Sequence, residues 1–378
     1  MDFEYNEEQQ LLADSVSKYL AKAYDFESRK QVIHSSSGFN DAAWTAFSEM
    51  GLTAIPFDQA DGGFGGGAVD MMAAMEAFGE ALVVEPVLDH IALATRLVAK
   101  TGSEAQRAGV LPALIDGSRK ATFAYLERGQ RFTLEPKTTT AAKTGAQWKL
   151  DGEKVVVVGA TVADVLVVSA RTGAGASLFL VDRTAPGVSV SAYRTVDGQR
   201  AADVSLHGVM VGADALLGTD GGALPHIEEA VDFATALLCA EAVGAMKSAN
   251  DATLEYLKTR KQFGAPIGSF QALQHRMVDM YITCEQARSM AILAACRVDA
   301  AASSTEPGAA ATRKAAISSA KVSIAESARK ISQESVQLHG GMGMTEEMKV
   351  SHTFRRLTVI AQRFGDVDHH LERYAALT

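Results

Sequence analysis

The stretch RKQFGAPIGSFQALQH, residues 260–275, breaks a long helical pattern with Gly264, Pro266 and Gly268, and the pattern resumes at once. Each of these residues is a poor choice inside a helix, because glycine costs backbone entropy and proline removes a donor. The bend is flanked by Arg260, Gln262 and Phe263. Either it displays those side chains or it is only a corner.

Downstream the chain stays helical to its end. Ile317, Ile324, Ile331 and Leu338 recur every seven residues, which predicts a long helix with one face against bundle neighbours. Upstream, residues 119–222 change period: WKLDGEKVVVVG has an Asp-Gly turn between apolar runs, and DVLVVSA, ASLFLVD, VSVSAY and ADVSLHGV follow at short intervals. These are strands of an antiparallel sheet or barrel, with turns at 173–175 and 186–187. Residues 1–118 are helical again, opening on a capping-box pair, Asn6 and Gln9, and an apolar stripe of Leu11, Leu12, Val16, Tyr19 and Leu20. The DGGFGGG run at 61–67 is either a tight loop or a backbone cradle for phosphate. It lacks the strand-then-GxGxxG context of a dinucleotide fold, which favours the loop. The expected architecture is therefore α+β, mostly α: an N-terminal helical domain (1–118), a central antiparallel β domain (119–222) and a C-terminal four-helix bundle (223–378).

The 378 residues carry a net charge of −9, with 47% hydrophobic and 21% charged residues. No basic stripe offers a platform for nucleic acid. Cys239, Cys284 and Cys296 are far apart, which fits buried thiols in a reducing compartment. The opening MDFEYNEEQQ resembles neither a secretory signal nor a transit peptide, and no uncharged apolar run is long enough for a membrane span. A cytoplasmic protein is expected. Asp366, Asp368, His369 and His370 crowd together without the i, i+4 spacing of a helix-borne zinc site, so no metal is expected. Met342 and Met344 are expected to pack.

With that order established, RKQFGAPIGSFQALQH resembles the signature segment of the acyl-CoA dehydrogenase family, and QLHGGMGMTEE (337–347) is similar to its second one. The resemblance extends to GLTAIPFDQADGGFGGG (51–67) and FRRLTVIAQRFGDVDHH (354–370). It implies FAD as cofactor and the α,β-dehydrogenation of an acyl-CoA thioester to the trans-2-enoyl-CoA, with electron-transfer flavoprotein as the redox partner. It also implies that Arg260, Gln262, Phe263, Ile267, Phe270 and Gln271 reach out to the pyrophosphate and adenosine end of an FAD seated mainly in a neighbouring subunit. A guanidinium forks onto phosphate and an aromatic face covers flat apolar surface, so the residue types suit the task. Gln337, Leu338, Gly340 and Gly341 would meet the same moiety, with glycines permitting close approach.

The sequence departs from the family pattern where the chemistry is done. The reaction needs a carboxylate base, and aligning the C-terminal glycine with Gly365 places Phe364 at that position. The second family location falls near Ala234, and Thr235 replaces an arginine that often helps hold CoA. The loop that cups the flavin is replaced by YLERGQ (125–130), and a tryptophan-isoleucine-threonine strand by KVVVVG (154–159). Glu127, Glu241, Asp366 and Asp368 remain as replacement candidates; no catalytic residue is assigned. What survives would serve a neighbour's FAD, which resembles the small subunit of heteromeric bacterial acyl-CoA dehydrogenases paired with a large subunit. A homo-oligomer, or a catalytically silent assembly or acceptor-docking subunit on the same fold, is the alternative.

Overall fold

The computed structural model describes residues 5–377; the first four residues of the acidic opening lie outside them. The helices are α1 (Glu7–Ala23), α2 (Phe26–His34), α3 (Asp41–Glu49), α4 (Ala68–Ala81), α5 (Arg96–Thr101), α6 (Glu104–Ile115), α7 (Leu224–Thr259), α8 (Gln271–Ala302), α9 (Ala309–His339), α10 (Lys349–Gln362) and α11 (Val367–Ala375). The strands of the main sheet are β1 (Ala121–Ala124), β2 (Thr140–Thr144), β3 (Gln147–Val158), β4 (Val165–Arg171), β5 (Ala176–Asp182), β6 (Val188–Arg194), β7 (Arg200–Gly212) and β8 (Leu216–Leu217). Two compact units result, one from residues up to 29 with 67–83 and 235–378, the other from 30–66 with 84–234. The expected order of helical, β and helical segments is what the chain adopts.

The first unit is helical apart from one short two-stranded hairpin at 261–266. Asn6 caps α1 as its spacing predicts: its side-chain oxygen accepts from the Gln9 amide at 2.9 Å, and the Gln9 side chain accepts from the Asn6 amide at 3.0 Å. Helix α4 begins on a glycine with no side chain to cap it, and a distant residue supplies the cap. The Asp299 carboxylate of α8 accepts from the Ala68 and Val69 amides at 2.7 and 2.9 Å. Ile317, Ile324 and Ile331 are fully buried, so the seven-residue repeat is the core face of α9. Where α4 crosses α7 the backbones nearly touch: a Cβ on Gly79 would meet the Glu241 carbonyl, and one on Gly244 would meet the Glu76 carbonyl. Only hydrogen fits at those two positions.

The second unit is built on a sheet of order β6-β7-β3-β2-β4-β5-β8, with β1 beside β4. Most pairs are antiparallel, as expected, but β1 and β2 both pair with β4 in parallel. Trp148, Leu150, Leu166, Phe179, Val204 and Leu206 belong to its core. The Asp151-Gly152 pair, expected as a turn, is instead a bulge inside β3, where Gly152 takes φ +147° and the Asp151 carboxylate accepts from the Gly208 amide at 2.7 Å. A second bulge follows at Val156, whose φ of +53° is strained for a β-branched residue. Beside the sheet, residues Asp89–Thr95 wind as a π-helix, fully buried. Its His90 accepts from the Ala121 amide at Nδ1 (3.0 Å) and donates from Nε2 to the Leu114 carbonyl (2.8 Å), which fixes a neutral ring.

Gly79→Ala and Gly244→Ala should each destabilise the protein by about 1–3 kcal/mol, because the added methyl must push two helix backbones apart. Denaturant unfolding checks this; an unchanged midpoint in both variants would contradict the crossing as described.

Candidate functional site

The bend at 260–268 is a small hairpin. Helix α7 ends at Thr259, Lys261–Gln262 pairs antiparallel with Ala265–Pro266, and Phe263 and Gly264 form the reversal with φ of +54° and +81°. Positive φ at both central residues is the geometry of a two-residue hairpin turn, and phenylalanine is an unusual choice for the first of them. The Ile267 amide closes the hairpin onto the Arg260 carbonyl at 2.8 Å. Gly268 is required because a Cβ there would press on the Leu257 carbonyl.

The result is display. Phe263 is 87% exposed, Phe270 lies edge-on to it at 6.2 Å, and Arg260, Gln262 and Gln271 are exposed; Ile267 is half-buried. Arg260 has no ion-pair partner among the described residues. The end of α9 comes to the same end of the bundle, since His339 stacks on Tyr256 at 4.4 Å, one turn before Arg260. Gln337, Gly340 and Gly341 are exposed, and a Cβ on either glycine would meet open space. Leu338 differs: its side chain is buried in the bundle. Met342 and Met344, expected to pack, are about half exposed at 49% and 54%.

The glycine-rich run at 61–67 has no amides to offer a phosphate. Gly63 donates to the Asp58 carbonyl, Phe64 to Ala54, Gly65 to Phe57 and Gly66 to Ile55, at 2.7–3.1 Å. It is a loop folded on itself.

The four candidate acids are placed as follows. Glu127 is buried with Lys154 at 2.9 Å; its carboxylate also accepts from the amides of Lys137, Thr138 and Thr139 and from the Gln130 side chain. Burial pushes its pKa up, but the Thr138 amide, Lys154 and the Thr139 amide outweigh that and hold it at about 2. Glu241 is gripped by Arg356 through two bonds of 2.6 and 2.9 Å, both side chains being buried. Asp366 caps α11, accepting from the His369 amide at 2.9 Å. Asp368 is exposed. Ala234 and Thr235 are buried in α7.

The loop at Phe364 is fixed from beneath. Phe364 takes φ +62° and is 9% exposed. The Lys321 ammonium donates to the carbonyls of Ala361 (3.1 Å) and Gly365 (2.8 Å), satisfying the C-terminal end of α10, and His370 Nε2 lies 3.2 Å from the Phe364 carbonyl oxygen. A Cβ on Gly365 would strike the rings of His369 and His370. Burial pulls Lys321 down to about 8, and burial with the neighbouring Lys321 charge pulls His370 down to about 3. Phe364 therefore stands on a well-ordered loop with no titratable group of its own. Among the described residues no group of three or more histidine, cysteine or acidic side chains could hold a metal, and no helix is long and apolar enough to cross a membrane.

Known proteins share this fold and domain order. Family models described as the N-terminal, middle and C-terminal domains of acyl-CoA dehydrogenase match residues 6–118, 122–209 and 224–376. The chain belongs to the acyl-CoA dehydrogenase family. It is accordingly a flavin-dependent oxidoreductase, with FAD as the cofactor. It is 30% identical over 375 residues to acyl-CoA dehydrogenase FadE12 of Mycobacterium tuberculosis, covering 94% of this chain and 92% of that one. Among solved structures it is similar to a chain of the ChsE4-ChsE5 complex from Mycobacterium tuberculosis (27% identity, TM-score 0.89, 100% of this chain and 98% of that one). It is also similar to a variant of the Tcur3481-Tcur3483 steroid ACAD (29%, TM-score 0.86, 98% and 97%).

The residues at the bundle end fit one end of FAD: an unpaired guanidinium and exposed amides for phosphate, an uncovered ring for the adenosine, and open space over two glycines. The sheet fits the ring system less well. Where the family's tryptophan strand would run, the Val156 amide donates to the Tyr193 hydroxyl (3.1 Å), which donates to Asp203 (3.0 Å), and Asp203 pairs with Arg128 (3.2 Å). That network was not legible in the sequence, because its members lie on four separate segments.

Histidines held neutral in the fold should make it acid-labile. His90 and His370 are pulled down to about 4 and 3, so as pH falls below about 6.5 the unfolded chain takes up their protons first. Stability present above that value should drop by up to about 1.4 kcal/mol per pH unit per ring. Unfolding midpoints between pH 7 and 5 (about the window these shifts define) should fall, and His370→Asn should flatten the slope; a flat profile in the parent would contradict it.

Proposed function

We propose that this chain is the small subunit of a heteromeric acyl-CoA dehydrogenase, lending its Arg260 hairpin to FAD sites shared with a larger subunit that brings the catalytic base. The observation that carries the reading is a division of labour: the displayed residues at the bundle end suit a nucleotide, whereas Phe364 occupies the base position and Glu127, Glu241 and Asp366 are engaged elsewhere. The existence of a ChsE4-ChsE5 complex on the same fold supports it. When bound, FAD supplies the hydride acceptor. This chain's own share is to hold the cofactor's nucleotide end: Arg260 as charge partner of the pyrophosphate, Gln262, Gln271 and Gln337 as hydrogen-bonding groups, Phe263, Phe270 and Ile267 as apolar cover, and Gly340 and Gly341 as clearance. Leu338 takes part only by packing the α9 end in place.

The opening MDFEYNEEQQLLADSV and the ending FGDVDHHLER resemble those of a pimeloyl-CoA dehydrogenase small subunit, which favours a longer, dicarboxylic or ring-derived acyl-CoA over butyryl-CoA; the steroid ACAD similarity leans the same way. Electron-transfer flavoprotein as acceptor, a cytoplasmic setting and the three-domain division at 118 and 222 belong to the same proposal.

Purified alone, the chain should be colourless or weakly yellow. Expressed with a large-subunit gene from its neighbourhood, it should gain flavin absorbance and acyl-CoA dehydrogenation. Full activity of the chain alone would overturn the shared-site reading, and a flavin-free inactive complex would favour the silent assembly role. In the mixed complex Arg260→Ala should reduce FAD retention by about tenfold or more, since a charge-assisted pair to phosphate is lost; unchanged flavin content would remove this residue from the site.

A further inference from the structure

A cavity of about 300 Å³ opens in the helical unit, with Leu20, Tyr24 and Phe26 as apolar wall and Asp25, Glu80 and Lys349 as its charged members. That volume is at the small end for organic ligands. Both acids are occupied: Asp25 accepts from the Ser28 amide at 2.8 Å, and Glu80 pairs with Lys247 at 2.8 Å. Lys349 has no hydrogen-bond or ion-pair partner among the described residues.

Three features oppose a positive charge at that position. Lys349 is partly buried, and burial lowers its pKa; Glu80 works against this, while Arg29 and Lys247 add to it. It is also the first residue of α10, where the helix dipole is positive and no side chain caps the helix. An ammonium that is desolvated, unpaired and set at a helix N-terminus gains from becoming neutral, and a covalent amide makes the neutral state permanent.

We propose that Lys349 is an acylation site, at which the amine takes the acyl group of a short-chain CoA thioester. The nitrogen lone pair attacks the thioester carbonyl; the C–N bond forms, the C–S bond breaks, and CoA leaves as a thiolate that takes the proton the amine loses. No oxidant or reductant is needed. The acyl chain then has the walls of Leu20, Tyr24 and Phe26 within reach. This inference is independent of the shared-FAD reading.

The test uses the intact chain and acetyl-CoA at about pH 8, below the ordinary lysine range, with peptide mass spectrometry following each lysine. Lys18 and Lys22, both exposed on α1, serve as internal controls. Lys349 should acquire acetyl groups at least tenfold faster than either, and its rate should level off at a lower pH than theirs. The acetylated protein should also unfold at a higher temperature than the unmodified one. A Lys349 rate equal to or below that of the controls would overturn the proposal.

Discussion

Glu241 is the point at which the helical unit is fixed. Its carbonyl is what the missing Cβ of Gly79 leaves room for, so α4 can lie directly on α7; its carboxylate grips Arg356 and so ties α10 to the same turn. Removing either partner of such a buried pair leaves a stranded charge, at a cost of about 3–5 kcal/mol. The far end of α10 is secured separately by Lys321, which replaces water at its last carbonyls. The C-terminal half of α10 and the Phe364 loop that follows it are held by those two buried cations.

That arrangement limits the chemistry. A general base must be free to take a proton and near enough to neutral pH to return it. Glu241 is held by a guanidinium and Glu127 by an ammonium and several amides, so each carboxylate is committed to a buried cation inside the fold. The loop where the family places its base is kept in shape but carries a phenyl ring.

The order of segments, the α1 cap and the heptad face of α9 were legible because each depends on residues close in sequence. Periodicity identified strands and helices for the same reason. What sequence did not reveal was long-range: the Asp299 cap on α4, the Glu127–Lys154 pair, and the Tyr193–Asp203–Arg128 network. The Asp-Gly signal at 151–152 was misread because a bulge and a turn share the same residues, and only the partner strand β7 decides between them. The exposure of Met342 and Met344 was missed because an apolar side chain gives no sign of whether its cover comes from its own chain.

Two positive-φ residues outside glycine differ in what surrounds them. Val156 is strained within a bulge, and its amide is taken up by a local polar network. Phe263 is strained at a hairpin tip with its ring 87% exposed. The edge-on contact with Phe270 leaves that ring largely uncovered, and glycine or asparagine would relieve the backbone cost. A large apolar ring held in an unfavourable conformation on an open surface is best understood as a contact waiting for its other half, and the unpaired Arg260 three residues earlier gives that contact its electrostatic sign.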